Sequence, residues 1–292
     1  MVRSGNVGDY AIIEDEVTNS IFGSYLIKFN IDNNKVLNRY FGYFYESNSF
    51  KKQLAKITQA SANTNINAEN IKSIKISYPT LDEQTIIVKF LLLIDKRIET
   101  QKKIIEDYYT YIKSILNKIY SSKNKYDKLT KYASIYQPET ISEQAFEVNG
   151  KYDVYGANGI IGKYSKYNHE TSQICITCRG ASCGNIHYSN PYSWITGNAM
   201  VINLDKSTSI INKKFIYYYL KSISLKHLIS GSGQPQITRK PLESLNIPLV
   251  TIEEQIKTVK ILDTAFEKIN NEEKILKLYQ KQKDYLLNKM FI

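Results

Sequence analysis

A chain of 292 residues, 42% hydrophobic and 23% charged, has the make-up of a folded protein of roughly two domains and excludes wholesale disorder. Its 39 Lys and Arg against 28 Asp and Glu leave a formal net charge of +11, which favours a polyanionic partner, nucleic acid or an anionic membrane surface. Only five of the basic residues are arginines (Arg3, Arg39, Arg97, Arg179, Arg239), and the wealth of Lys, Asn, Ile and Tyr is equally what an AT-rich genome produces, so charge alone does not decide the partner.

The start, MVRSGNVGDY, lacks the apolar core of a signal peptide. The longest greasy run, Ile86 to Ile94, contains Lys89 and is too short to span a bilayer. Three cysteines, an odd number, argue against a disulfide framework and suit a reducing cytoplasm.

Residues 1–80 mix strand and helix signals. Tyr25 to Phe29 reads as a strand, and Val36 to Lys56 as a helix with aromatic residues on one side. Ala60 to Asn70 is polar and loop-like. Ile71 to Tyr78 alternates Ile with Lys or Ser, the pattern of a half-buried strand, before Pro79.

Residues 81–120 carry the periodicity of one long helix. Ile87, Leu91, Ile94, Ile98, Gln101, Ile105, Tyr108, Ile112, Ile115 and Ile119 alternate steps of four and three, a heptad seam with one polar member. At about 1.5 Å per residue such a helix is roughly 55 Å long. A polar joint, Ser121 to Lys125, follows.

Residues 121–251 repeat the first region at greater length, and residues 252–292 repeat the helix. Glu83-Gln84 matches Glu254-Gln255 at an offset of 171, with no gap through the helical segment. The second seam runs Leu262, Ala265, Ile269, Glu272, Leu276, Tyr279, Leu286 and Met290, and its polar member Glu272 is the repeat image of Gln101. Two matched seams favour pairing of the two helices over each packing on its own domain. Upstream, Arg179-Gly180-Ala181-Ser182-Cys183-Gly184 parallels Arg3-Ser4-Gly5-Asn6-Val7-Gly8, Ile195 to Asn198 parallels Ile21 to Ser24, and Ile237 to Ile247 matches Ile66 to Ile76. The expected fold class is therefore α+β: two repeated domains, each followed by a long helix, the helices pairing as an antiparallel coiled coil. Tyr126 to Cys178 has no counterpart ahead of Arg3, so the first domain is expected to be incomplete, with an unpaired sheet edge.

Taken together, the repeat, the Glu-Gln after an Ile-Pro strand, the GSGQPQIT loop (Gly231 to Thr238) and VYGANGIIGKY (Val154 to Tyr164) resemble the specificity subunit of type I restriction–modification systems. The resemblance covers nearly the whole chain. It implies two target-recognition domains, each reading one half of a bipartite double-stranded DNA site, and two helices that set the spacing and dock two methyltransferase subunits. It further implies nuclease/translocase partners, a cytoplasmic setting, no membrane, no cofactor and no catalysis by this chain. Ala60 and Asn63 depart from the pattern where the second copy has Gly231 and Gln234.

Candidate DNA contacts lie in loops. Arg3 and Arg179 each precede a glycine turn, where a guanidinium reaches a phosphate or a guanine edge, or else anchors the turn internally. Asn158 and Lys163 flank a glycine-rich turn; Asn pairs bidentately with adenine and also suits left-handed turn geometry. Gln234, Gln236, Arg239 and Lys240 occupy a polar loop that contacts DNA or a partner, or is merely solvated.

Other functional classes find less support. Cys175, Cys178, Cys183 and His187 have a spacing compatible with zinc, but Ile174 to Cys178 reads as a strand, and Val2 and Val7 replace Cys178 and Cys183 in the repeat. Asn190-Pro191-Tyr192 lacks the second proline of the amino-methyltransferase motif, and neither a glycine-rich cofactor fingerprint nor a P-loop is present. A coiled-coil scaffold without sequence-specific DNA contact is the alternative from another class.

Overall fold

The computed structural model describes residues 1–2, 9–13, 21–28, 30–59, 68–120, 125–231 and 233–291. In chain order these form α1 (Asn38–Glu46), α2 (Asn48–Gln59), α3 (Ala68–Lys72), α4 (Leu81–Ile119), β1 (Lys125–Lys128), β2 (Ser134–Tyr136), β3 (Tyr152–Gly156), β4 (Gly159–Tyr164), β5 (Ile174–Thr177), β6 (Ile186–Tyr188), β7 (Trp194–Ile195), β8 (Ala199–Asn203), α5 (Lys213–Ser222), α6 (Arg239–Glu243), β9 (Asn246–Leu249) and α7 (Ile252–Met290). They gather into two compact units, Met1–Glu106 with Ile269–Ile292 (unit 1) and Asp107–Lys268 (unit 2).

Both long helices run 39 residues and begin in the same way. The Glu83 carboxylate accepts from the backbone amide (3.0 Å) and hydroxyl (2.7 Å) of Thr80, and the Glu83 amide donates back to that hydroxyl. Thr251 and Glu254 repeat this capping box at 3.2 and 3.3 Å. Acidic residues fill each first turn and a lysine each last turn, as the helix dipole favours.

The glutamine after each capping glutamate is fully buried. Gln84 Oε1 accepts from Leu37 N (2.9 Å) while its Nε2 donates to the carbonyls of Lys35 (2.8 Å) and Pro79 (2.9 Å). In unit 2 Gln255 Oε1 accepts from Asn212 N (2.7 Å), and its Nε2 donates to Ile210 and Val250 (both 3.0 Å). Leu37 and Asn212 are the residues that start α1 and α5, so each glutamine joins a long helix to the start of an aromatic-rich helix.

Within unit 1, α4 and α7 pair antiparallel. Leu91 and Ile94 pack with Leu287, Phe291 and the α1 residues Tyr40 and Phe44. Further along, Gln101 Nε2 donates to the Glu272 carbonyl (3.2 Å) and carboxylate. Lys283 bridges Glu46 and Asp95 at 2.7 Å each; burial disfavours its charge, but these carboxylates raise its pKa on balance. In unit 2, Ile112, Leu116, Val259, Leu262 and Ala265 are buried, and Asp263 on α7 accepts from Tyr218 and pairs with Lys214 of α5.

Among the described residues, unit 2 holds three sheets. The largest has the order β2-β8-β5-β6, all antiparallel, with β5 and β8 buried almost throughout. Short unbroken apolar runs such as Ile-Cys-Ile-Thr belong to strands covered on both faces. A second sheet, β4-β3-β7, pairs β3 antiparallel with β4 and parallel with β7, and β1 pairs antiparallel with β9.

Unit 1 departs from the sequence expectations in four places. Of the loop expected over Ala60 to Asn70, residues 60–67 lie outside the described residues and Ala68 to Asn70 open α3. The helix expected over Val36 to Lys56 is broken at the buried Ser47, whose hydroxyl donates to Phe44 O (2.6 Å) and accepts from Phe50 N (3.3 Å), ending α1 and starting α2. Ile71 to Tyr78 begins as the end of α3 and continues without regular structure, pairing in no ladder among the described residues; the Gln53 amide instead grips Lys75 N and O at 2.9 Å. Of Tyr25 to Phe29, only Leu26 pairs, bridging Val2, and Phe29 lies outside the described residues.

Gln255→Leu strands the Asn212 amide and two carbonyls in the interior, a loss of roughly 2–4 kcal/mol. The single tryptophan, Trp194, lies in unit 2 and reports the transition in urea. Glu253→Gln, exposed in the same turn, is the control, expected within about 0.5 kcal/mol. Equal shifts for the two variants would show that the glutamine contributes nothing beyond helix propensity.

Candidate nucleic-acid interface

The backbone around the C-terminal end of β5 draws several candidate residues together. Ile237 N donates to Cys178 O and Gly180 N to Pro235 O, each at 3.0 Å, so Arg179 and Gln236 face each other across an antiparallel bridge. Gln236 exchanges its own amide and carbonyl with Ser230 on its other side (2.8 and 2.9 Å). Arg179–Gln236 is therefore the non-hydrogen-bonded kind of pair, in which side chains stand close together on one face.

Two glycines make this ladder possible. Gly180 turns the chain just after Arg179 at φ +83°, in the left-handed region. Gly231 does the same at φ +89°, and a Cβ there would meet Gln234 O at 2.5 Å.

A cleft of ≈ 230 Å³ opens beside the pair, lined by Tyr136, Gln137, Cys178, Arg179, Met200, Gln236, Ile237, Thr238 and Arg239. Arg179, Gln234, Gln236, Arg239 and Lys240 are exposed. Arg239 is held by Glu243 at 2.7 Å, whereas Arg179 forms no ion pair among the described residues. Asn158 stands exposed at the β3–β4 turn, and Thr177 donates from its hydroxyl to Ala157 O, tying that turn to the end of β5.

Lys163 is placed differently. It pairs with Asp153 at 2.6 Å, and Asn190 Nδ2 donates to the same carboxylate at 3.0 Å; Lys163 first, then Asn190, hold Asp153 below the usual carboxylate range. The charge of Lys163 is thus largely compensated. Arg3 lies outside the described residues.

Gln137 and Thr238 join the cleft without having been singled out from the sequence. Gln137 lies in the loop after β2, anchored to Gly197 O, and no local motif marks it.

The cysteines are packing residues here. Cys175 and Cys178 are buried, and burial pushes the Cys175 thiol up to about 12. The described residues hold no group of three or more His, Cys, Asp or Glu suited to a metal ion.

A second surface lies on α4 in unit 1. Ile86, Phe90 and Leu93 recur at helical spacing and are 67%, 42% and 62% exposed, a stripe outside the buried seam. Among the described residues no helix is long and apolar enough to cross a membrane.

Helices and sheets together, with two long helices that pair within unit 1, give the fold of the specificity subunits of type I restriction–modification systems. The family description "Type I restriction modification DNA specificity domain" matches residues 1–107 and 123–279, and the chain belongs to that family. Among curated relatives, it is 26% identical over 325 residues to a Methanocaldococcus jannaschii chain named MjaX specificity subunit, covering 97% of this chain and 75% of that one. It is 27% identical over 144 residues to the type I restriction enzyme MjaVIII specificity subunit of the same organism, covering 47% of this chain and 33% of that one. The fold is that of the type I restriction–modification S subunit from M. genitalium (TM-score 0.61, 20% identity, 90% of this chain and 74% of that chain). It also matches a chain from a study of complex assembly and conformational transition of the type I R-M system (TM-score 0.58, 16% identity, 88% and 71%).

Gly180→Val forces a β-branched residue into the left-handed region and should dislodge the Arg179–Gln236 pair at a cost of roughly 1–3 kcal/mol. The Trp194 transition should shift accordingly and DNA affinity fall. Arg179→Ala, exposed and outside any ion pair described, should lower affinity with an unchanged melting curve; a matching drop in stability would make Arg179 an anchor of the turn.

Proposed function

We propose that this chain is the non-catalytic subunit that directs a type I restriction–modification complex to its DNA site. Methylation belongs to two docked methyltransferase subunits, and cleavage and translocation to nuclease/translocase partners. The cytoplasm, where DNA and these partners meet, is its setting. The observation that carries the reading is the Arg179–Gln236 pair, held by backbone on both sides at the rim of a small cleft. Arg179 presents a guanidinium to guanine O6 and N7, and Gln236 an amide to adenine N6 and N7. Lys240 and Asn158 flank the pair, Lys240 as a phosphate contact. The exposed Ile86, Phe90 and Leu93 stripe is where a methyltransferase subunit docks.

The experiment measures binding of cognate and random duplexes by the complex with methyltransferase across a salt series. Affinity falls with salt at a slope of roughly −0.9 per phosphate neutralised. Lys240→Ala should reduce that slope by about one unit for every duplex, whereas Arg179→Ala should cost about 1–3 kcal/mol on the cognate site alone. Equal affinity for random and cognate duplexes would exclude the specificity role and leave a scaffold.

Ile86→Glu with Leu93→Glu tests the docking face. Sedimentation should show loss of methyltransferase association while the circular dichroism spectrum is unchanged. Undiminished association would move the docking face elsewhere.

A further inference from the structure

The β3–β4 hairpin of unit 2 carries two apolar side chains beside Asn158 that its core does not take up. Its register runs Tyr152↔Tyr164, Asp153↔Lys163 and Val154↔Gly162, then shifts to Tyr155↔Ile160 and Gly156↔Gly159. Ile161 is therefore one residue too many on β4, a bulge. Successive side chains of a regular strand point to opposite faces, and a bulge re-aims one of them. Here the neighbours Ile160 and Ile161 are 55% and 45% exposed, while Val154 and Tyr155 across the hairpin are buried. Exposed isoleucines scattered singly are ordinary, but these two adjoin each other next to the turn.

The hairpin tip is held where it stands. Gly156 leaves the space that Ile161 fills, since a Cβ there would lie 2.8 Å from Ile161 Cδ1. Gly159, at φ +113°, turns the chain between Asn158 and Ile160. The Thr177 hydroxyl donates to Ala157 O, which fastens the turn to the end of β5, two residues ahead of Arg179. Beside the face assigned to DNA there is thus a fixed amide, Asn158, and a fixed branched alkyl group, Ile160, with Ile161 lodged over the opposite strand.

The base edges of DNA offer an alkyl group one apolar partner, the 5-methyl of thymine, and it stands in the major groove, which also admits a two-stranded β-ribbon. We propose that Ile160 is a specificity residue that packs on a thymine methyl group in the major groove. Asn158 stands two residues away, at most about 7 Å, so its amide reaches a base within roughly two steps of that thymine. The inference rests on the DNA role proposed above and adds the chemical class of base edge that the hairpin reads. Wedging an isoleucine between bases from the minor groove is the other use of an apolar tip. The amide beside it favours the major groove, where adenine N6 and N7 lie.

The complex with methyltransferase first selects duplexes from a random pool, which defines its cognate sequence. Each thymine of that duplex is then replaced in turn by deoxyuridine, which removes the methyl group alone. At one position binding should weaken about threefold to fivefold, the worth of one buried methyl group. Ile160→Ala should bind the thymine and uracil duplexes alike at that position, and Ile160→Val should keep most of the difference. Trp194, paired with Val154 in the same sheet, should report an unchanged unfolding transition in both variants. A selected duplex with no methyl-sensitive position overturns the proposal and leaves the DNA role standing, whereas failure to select any sequence overturns both. Methyl sensitivity that persists in Ile160→Ala overturns it by assigning the contact to another residue. Loss of methyltransferase association in Ile160→Ala overturns it in favour of a protein contact.

Discussion

One side-chain amide per unit holds the fold together at its joints. Gln84 and Gln255 each satisfy three backbone groups from two separate segments: the chain just before a long helix, and the start of an aromatic-rich helix together with the residue two places ahead of that start. An amide side chain has one acceptor and one two-hydrogen donor within reach of one another, so this triple contact needs Gln and not Glu, Lys or an apolar residue. Because the amide is fully buried, every group it touches depends on it; take it away and no water replaces it. The capping glutamate one residue earlier is exposed and serves the helix alone. The Glu-Gln dipeptide therefore divides its work between an inward and an outward side chain, and both copies divide it in the same way.

The long helices and their repetition were legible because their signals are long. A seam over ten positions and a gap-free repeat leave little room for another reading, and in unit 1 the antiparallel pair brings the repeat images Gln101 and Glu272 into contact. Shorter elements carried less. Two α-helices replaced one because a single serine serves both ends, and Ser47 looks like any polar residue on an amphipathic face until its two hydrogen bonds are seen. Ile71 to Tyr78 has the alternation of a half-buried strand and does turn its isoleucines inward, but a strand is defined by its neighbour, and alternation says nothing about whether a neighbour is there.

The candidate site was partly legible for a related reason. Arg179, Gln236 and Arg239 each adjoin a turn signal, and glycine in the left-handed region marks where side chains are thrust outward. Their meeting in one cleft depends on a bridge between segments more than fifty residues apart, which no local pattern encodes. Lys163 carries the same turn signal as Asn158, but its partner Asp153 lies across the hairpin, and pairing removes the charge that made it a candidate. Gln137 has no turn, charge or periodicity of its own; it enters through the approach of β2 to the β5 end.

The division into units gives the chain an order of assembly. Unit 2 is a single continuous stretch, Asp107–Lys268, while unit 1 joins Met1–Glu106 to Ile269–Ile292. On the ribosome, unit 2 has all its residues before the tail of α7 exists, whereas the core of unit 1 waits for Leu287 and Phe291, which are made after unit 2. Until then Leu91 and Ile94 of α4 have no seam to enter and stay open to the solvent, to chaperones or to another nascent chain. Closing unit 1 then means bringing together ends separated by all of unit 2, a search whose cost in loop entropy is lower once the intervening stretch has already folded into a compact body.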